Sequence, residues 1–169
     1  MKKRISQGML AMLLLVLAAQ GNGQHRGESA GQTPQNRQIV FVCEHGAALS
    51  VVSAAYFNKL AKEEHLNLHA IARGTSPQQD IAVSAEKGLR EDGVASETKR
   101  PEALSEKDVT GSVRIVAFCA IPVEYSKVAT VVTWNDVPPT GVDYAAARDV
   151  ILRHVRELIR DLKEEERRR

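Results

Sequence analysis

The sequence predicts an α/β fold: a three-layer sandwich around a four-stranded parallel sheet. Four short apolar segments have the character of strands, and helical patterns separate them along the chain. The first segment, Ile39–Cys43, is apolar at every position, which is typical of a strand buried on both faces of a parallel sheet. The alternation of strands and helices predicts a doubly wound arrangement with helices on both faces.

The first half of the domain predicts two strands and two helices. A helix is predicted at Ser50–Glu64 and a second strand at Leu66–Ala72. Ser76 and Pro77 predict the start of the next helix, with Ser76 as N-cap and Pro77 at the first helical position. Gly93 suits the end of that helix.

The second half predicts a short helical turn, two strands and a long closing helix. Ser105–Asp108 resembles a capping box that opens the turn. Strands are predicted at Val113–Phe118 and Val128–Trp134. Apolar residues then recur at spacings of three and four within Tyr144–Leu162, and Asp143 is placed to cap this amphipathic helix.

The N-terminal segment predicts export. Residues 1–21 combine a basic start with an apolar run at Met9–Ala19, which is too short for a membrane span of about 20 residues. We expect a cleaved signal peptide and a periplasmic or secreted protein, with an uncleaved anchor as the alternative. Residues 22–37 are predicted as a flexible linker, 38–163 as the folded domain and 164–169 as a charged tail.

Charge and composition exclude several classes of function. Removal of residues 1–21 takes away three of the 23 Lys and Arg and none of the 21 Asp and Glu. The mature chain is then close to neutral, which argues against a nucleic-acid partner, and no membrane contact is expected after cleavage. No cofactor is predicted, and no metal site either, because His65, His69 and His154 lack partners at ligand spacing.

Cys43 ends the first strand, and the loop after it has the features of an anion-binding nest. Its backbone N–H groups could curl inward beside a helix N-terminus, where they would bind an anion and make the Cys43 thiolate nucleophilic. The candidate anion-binding residues of this loop are Glu44, His45, Gly46, Ala47, Ala48, Leu49 and Ser50. Gly46 allows a positive φ within the curl. Ser50 is placed either to hydrogen-bond the thiolate or to cap the helix.

Several motifs in order resemble the low-molecular-weight protein tyrosine phosphatase superfamily, which includes thioredoxin-coupled arsenate reductases. Beyond the strand ending in "FVC", the similar segments are "ARGTSP" at 72–77, "LREDGV" at 89–94, "RPEALSEKDV" at 100–109, "FC" at 118–119, "WNDVPP" at 134–139 and "DYAAARDVI" at 143–151. The resemblance covers roughly residues 38–162. It implies the fold of that superfamily, Cys43 as nucleophile and a phosphate- or arsenate-like anion as ligand. It also implies a phosphorylated protein or a thiol reductant as partner.

Two positions depart from the family pattern. The family loop has an arginine where this chain has Leu49, which offers neither charge nor the fork of donors that grips phosphoryl oxygens. One such arginine is worth roughly 10³–10⁵ in the rate of related phosphoryl transfers. In the family's acid loop an Asp precedes Pro, but here Pro138 stands at that position. Asp136 could act as the acid, or it is a solvated turn carboxylate.

Other residues at the same sheet edge are candidates for the missing groups. Arg73 follows the second strand and could reach the anion, or it is a surface arginine bound to a nearby carbonyl. His45 could add partial positive charge. Cys119 ends a strand of the same sheet, and the resemblance implies that it could form a disulfide with Cys43. The family's third relay cysteine is missing, and Cys119 could equally be a small buried hydrophobe.

The sequence therefore leaves three functions open. The first is a phosphatase or arsenate-reductase relative with slow or lost hydrolysis of phosphate monoesters. The second is a pseudoenzyme that binds anions or phosphoproteins without turnover. The third is a redox domain that uses a Cys43–Cys119 disulfide.

Overall fold

Four parallel strands form a single sheet in the computed structural model, which describes residues 37–168. The predicted signal peptide, and the predicted linker except its last residue, lie outside the described residues. The spatial order is β2-β1-β3-β4, and the strands are β1 (Gln38–Cys43), β2 (His69–Gly74), β3 (Ser112–Ala117) and β4 (Val131–Thr133). The predicted α/β fold with a four-stranded parallel sheet is confirmed.

Helices cover both faces of this sheet. They are α1 (Leu49–Glu63), α2 (Val83–Glu91), α3 (Glu106–Thr110), α4 (Val123–Ser126) and α5 (Tyr144–Arg167). Alternate residues of β1 face opposite sides, as expected for a strand. Ile39 and Phe41 belong to the core beneath α1 and α5, whereas Val40 and Val42 pack with side chains of α3 and α4. All four are fully buried, which explains the uninterrupted apolar pattern of β1.

The helix predicted at Ser76 begins only at Val83, and this prediction was wrong by about two turns. Backbone N–H groups of Thr75, Ser76 and Gln78 donate to carbonyl groups of the loop after β1 instead of forming a helix. Tertiary hydrogen bonds therefore override the local N-cap and proline signals at this position.

Two strands are also shifted from their predicted bounds. β2 begins at His69 rather than Leu66, because the N–H of Leu66 still donates to Ala61 in the turn after α1. β4 begins at Val131 because the chain before it forms α4 and the turn that follows.

Helix α5 runs beyond the predicted end of the domain. The side chain of Asp143 accepts from the N–H of Ala146 as the predicted N-cap, and the helix continues to Arg167, through most of the residues predicted as a charged tail. Glu165 pairs with Arg114 at 2.8 Å, and this ion pair holds the last turns of the helix against β3. No helix within residues 37–168 is long and apolar enough to cross a membrane.

Three elements are tied together at the end of α2. The carboxylate of Asp92 accepts hydrogen bonds from Tyr56 at 2.5 Å and Tyr144 at 3.0 Å, and it pairs with Arg148 at 3.2 Å. Since Tyr56 lies on α1 and the other two on α5, this carboxylate fixes the end of α2 against both helices.

Candidate functional site

Cys43 lies at the carboxyl end of β1, at the mouth of a cavity of about 540 Å³. Its side chain is 8% exposed. The cavity is bounded by four segments of the carboxyl edge of the sheet: the loop of residues 43–49, the start of α2, residues 118–119 after β3, and residues 139–141 before α5. This is the edge at which ligands bind in open α/β sheets.

Most carbonyl groups of the loop that begins at Cys43 are directed toward residues 75–82. Four of them accept hydrogen bonds from N–H groups of residues 75–82, namely Cys43 from Thr75 (3.1 Å), Glu44 from Ser76 (2.8 Å), His45 from Gln78 (3.2 Å) and Ala47 from Ala82 (3.0 Å). In a planar trans peptide the N–H points opposite to the C=O. The N–H groups that follow these carbonyls therefore point away from the segment of residues 75–82.

The N–H groups of residues 44–48 are candidates for binding a ligand. Within residues 37–168, no hydrogen bond joins the N–H groups of residues 44–48 to another group of the protein. Helix α1 begins directly after them, and its N-cap Ala48 supplies no capping side chain. Free N–H groups at a helix N-terminus carry partial positive charge and favour an anion or a thiolate.

Two glycines allow the loop to lie this close to β2. Gly46 has a φ of +62°, which favours glycine, and a Cβ atom there would lie 2.8 Å from the backbone nitrogen of Gly74. A Cβ atom on Gly74 would in turn lie 2.7 Å from the nitrogen of Gly46. Neither position has room for a side chain.

Ser50 contacts the side chain of Cys43. Its Oγ lies 3.1 Å from Cys43 Sγ, and the serine is fully buried. Of the two roles open from the sequence, the geometry favours the hydrogen bond to sulfur, because Ala48 holds the N-cap position. A hydroxyl that donates to a thiolate stabilises its charge.

Leu49 is the first residue of α1 and lines the cavity beside Cys43. Phe118 and Pro139 add further apolar surface. The described lining contains no Lys or Arg. Its titratable residues besides the cysteines are Glu44 and His45, which follow Cys43 in the chain. An anion in this cavity would be held by backbone N–H groups without help from a lysine or arginine.

Cys119 lines the same cavity, and both cysteines are reduced. Thr75 connects them, because its N–H donates to the carbonyl of Cys43 and its hydroxyl lies 3.9 Å from Cys119 Sγ. Burial raises the pKa of Cys119, and the charges of Cys43 and Glu44 raise it further, against the opposing hydrogen bond from Thr75. Cys119 is therefore protonated at neutral pH.

The structure does not bring Asp136 to the cavity. Its carboxylate lies 2.8 Å from His154 Nε2 and 3.3 Å from Arg153, both on α5. The hydrogen bond from His154 lowers the pKa of Asp136, so the side chain is ionised at neutral pH and has no proton to donate. The ring of His154 also stacks on Trp134, with ring centroids 4.8 Å apart, and this contact fixes the position of the histidine that binds Asp136.

Arg73 does not line the Cys43 cavity either. Its guanidinium makes two hydrogen bonds to Asp108, at 3.0 and 3.1 Å, and further bonds to the carbonyl of Ala72 and to Glu102. In register, Arg73 lies beside Val42, which faces α3 and α4, so the two side chains share the sheet face opposite α1. Arg73 therefore supports the fold instead of replacing the missing cation.

We expect the Asp108→Asn substitution to destabilise the domain by about 2–4 kcal/mol at neutral pH, since it leaves the largely buried Arg73 without its partner. Burial alone would raise the pKa of Asp108, but hydrogen bonds from Arg73 and Ser105 lower it below its ordinary value. Because the pKa of Asp108 is lower in the folded than in the unfolded protein, ionised Asp108 adds to the free energy of unfolding above about pH 4. This contribution is lost as the pH falls through the pKa of Asp108 in the folded protein.

Urea unfolding of both proteins across the acidic range checks this prediction. The difference in unfolding free energy between the wild type and Asp108→Asn should be largest near neutral pH and decrease below about pH 4. An equal difference at every pH would contradict the ion-pair account.

Sequence reasoning missed part of the cavity lining. Ser84, Phe118, Pro139 and Thr140 all border the cavity that contains Cys43. Pro139 lies in the "WNDVPP" segment, in which only Asp136 was a candidate for the site. Ser84 was not expected at the sheet edge, because a helix that starts at Ser76 would place Ser84 in its middle, whereas α2 begins at Val83. Within residues 37–168, no group of three or more His, Cys, Asp and Glu side chains could hold a metal ion.

Comparisons with known proteins identify the fold. No protein-family model matches the chain. No curated protein matches it either. Among solved structures, the arginine phosphatase YwlE of Bacillus subtilis is similar with a TM-score of 0.68 at 20% identity, over 77% of this chain and 98% of that one.

Two further solved structures have the same fold. A low-molecular-weight phosphotyrosine phosphatase of Vibrio cholerae gives a TM-score of 0.64 at 14% identity, covering 76% of this chain and 98% of that one. A thioredoxin-dependent arsenate reductase of Corynebacterium glutamicum gives 0.60 at 18% identity, covering 76% and 62% respectively. The described chain therefore has the fold of the low-molecular-weight protein tyrosine phosphatases and thioredoxin-dependent arsenate reductases, as its motifs indicated.

Proposed function

We propose that this chain is a slow phosphatase-type domain in which Cys43 attacks the phosphorus of a phosphate monoester. The observation that carries the proposal is the position of Cys43 Sγ, 3.1 Å from Ser50 Oγ and at the mouth of a loop with five unpaired N–H groups. The structural neighbours support it. One is a Cys-to-Ser mutant of an arginine phosphatase with a phosphorylated active-site serine, and another is a thioredoxin-dependent arsenate reductase.

The chemistry follows from these groups. The Cys43 thiolate attacks phosphorus, an S–P bond forms, and the bond to the leaving oxygen breaks with its electron pair. Free N–H groups of residues 44–48 and the end of α1 would hold the phosphoryl oxygens as their charge is redistributed. Ser50 stabilises the sulfur when it carries charge again, after water has cleaved the S–P bond.

Leu49 is the reason for proposing a slow reaction. It lies where a guanidinium would contact two phosphoryl oxygens, and none of the residues described in the lining replaces that charge. The loss of one transition-state arginine costs roughly 10³–10⁵ in rate, about 4–7 kcal/mol of barrier. We therefore expect turnover of activated aryl phosphates and little turnover of alkyl phosphates.

Alkylation with and without a competing anion tests this proposal. In the Cys119→Ser variant of the full chain, iodoacetate should modify Cys43, abolish aryl-phosphate turnover and react several-fold more slowly when inorganic phosphate occupies the loop. Absence of phosphate protection would show that the loop does not bind oxyanions. Turnover that persists after complete modification of Cys43 would show that this thiol is not the nucleophile.

A redox function is the second candidate, because Cys119 lines the same cavity as Cys43 and contacts the same threonine. In this scheme the two thiols lose two electrons and two protons to a thiol–disulfide partner and form an internal disulfide. Thiol counting after incubation with oxidised and reduced thioredoxin distinguishes the cases. If oxidised thioredoxin removes both free thiols together and reduced thioredoxin restores both, the redox function is favoured.

We also propose that the domain acts outside the cytoplasm, on the basis of residues 1–21. N-terminal sequencing of protein recovered from the cell envelope or the medium tests this. A chain that begins after residue 21 supports export, and an intact N-terminus on cytoplasmic protein contradicts it.

A further inference from the structure

We propose that Thr140, paired with Ser84, donates a hydrogen bond to the leaving oxygen, and that the site therefore acts on phosphate compounds with weakly basic leaving groups. This inference rests on the proposed phosphatase function. Thr140 is a catalytic residue that the motifs did not indicate, and it gives a second reason for a preference for activated leaving groups.

The two hydroxyl groups form one defined pair on the cavity wall. Ser84 Oγ and Thr140 Oγ1 lie 3.0 Å apart, and both residues border the cavity that contains Cys43. Thr140 is only 4% exposed although it lies in the loop before α5. The pair joins the start of α2 to that loop, so the position of each hydroxyl is fixed by a separate element.

Counting protons shows that this pair has a donor to spare. Each hydroxyl has one O–H donor and two acceptor positions. Their mutual bond uses one of the two protons, and no further hydrogen bond of either side chain exists within residues 37–168. When Ser84 donates to Thr140, the proton of the buried Thr140 hydroxyl is left for a ligand in the cavity, because a buried donor without a partner is costly.

The other candidate acids are less well placed. The Asp136 carboxylate is held by α5 outside the cavity and is ionised. Glu44 and His45 are exposed and adjoin the nucleophile in sequence, and His45 Nδ1 faces the carbonyl of Ser76 at 3.4 Å. Thr140 belongs to a different segment of the cavity wall, so a phosphoryl group bound in the loop could lie between it and Cys43.

A hydroxyl stabilises a leaving group in a different way from a carboxylic acid. It is a much weaker acid, so it holds the departing oxygen by a hydrogen bond without giving up its proton. As the S–P bond to Cys43 forms and the P–O bond breaks, the leaving group takes the electron pair and departs as an anion. It collects a proton from water afterwards. Only stable anions depart easily in this way, such as nitrophenolates or the carboxylate of an acyl phosphate.

A series of aryl phosphates with increasingly basic leaving groups tests the inference on the full chain. The wild-type kcat/KM should fall steeply along the series, with acetyl phosphate a good substrate. Thr140→Val should lower kcat/KM by roughly 10- to 100-fold, the value of one hydrogen bond to a charged group. The loss should be in kcat and should grow with leaving-group basicity, whereas Thr140→Ser should retain most of the activity.

Thr133→Val is the matched control, because Thr133 is exposed on β4 and does not border the cavity. Thermal unfolding shows whether each variant is folded, and Ser84→Ala gives an independent test of the same pair. A flat dependence on the leaving group, or unchanged kinetics in Thr140→Val, would overturn the inference and leave the phosphatase proposal intact. No turnover of any substrate, dinitrophenyl phosphate included, would overturn both.

Discussion

Replacement of Leu49 by arginine should raise kcat/KM for aryl phosphates by about 10²- to 10³-fold. The side chain at this position leaves the first residue of α1 and enters the cavity beside Cys43. A guanidinium there can donate two parallel hydrogen bonds to phosphoryl oxygens and stabilise their charge in the transition state. We expect less than the full value of such an arginine, since the surrounding cavity wall is apolar.

Two controls separate charge from shape at this position. Leu49→Met keeps the apolar volume and should leave the rate unchanged. Leu49→Lys adds a point charge without the planar fork and should give a smaller gain than arginine. An equal rate in all three folded variants would show that the bound phosphoryl group does not lie near the N-terminus of α1.

Replacement of Cys43 by alanine should reduce turnover of every phosphate substrate below detection. Loss of an essential nucleophile in other enzymes costs up to about 10⁶-fold, and the remaining groups act only by binding. The N–H groups of residues 44–48 stay in place in this variant, so inorganic phosphate should still raise its melting temperature. A variant that binds phosphate but does not turn over substrate would assign the chemistry to the sulfur.

Cys119→Ser provides the matched control for this loss. Cys119 borders the same cavity and is protonated at neutral pH, so a phosphatase site does not need it. We expect at most a few-fold change in aryl-phosphate turnover. Equal loss of activity in the two cysteine variants would favour the redox pair over the phosphatase site.

Local patterns were sufficient to predict most of the fold. The apolar residues of β1 are fully buried because the strand lies inside the sheet with helices on both faces. Asp143 caps α5 through the N–H of Ala146, and Ser105 forms the complete capping box of α3. In each of these cases the signal and the contact lie within a few residues of each other.

The start of α2 shows where local patterns fail. Ser76 and Pro77 have the right chemistry for a helix start, but the backbone around them is committed to hydrogen bonds with the loop after β1. That loop lies more than 25 residues earlier in the chain, so its need for donors cannot be seen in the local sequence. The same bonds turn the loop carbonyls toward residues 75–82 and leave the loop N–H groups as the candidate anion-binding face.

The candidate site could be predicted only in its contiguous part. Cys43, Gly46 and Ser50 were found because one strand, one loop and one helix end follow each other in the sequence. Ser84 and Thr140 meet across 56 positions of the chain, and neither residue is unusual in its own segment. Arg73 was expected near the anion because its strand ends at the same edge of the sheet. Alternation along β2 instead directs its side chain to the other face of the sheet.

The most direct test of the account is the chemical state of residue 43 during a single turnover. The full chain should be mixed with excess dinitrophenyl phosphate, quenched rapidly and digested for mass spectrometry. The Cys43→Ser variant serves as a slower trap with a more stable ester. We predict one phosphoryl group on residue 43 in both proteins. An unmodified residue 43, or a phosphoryl group on another side chain, while substrate is being consumed would contradict the central claim.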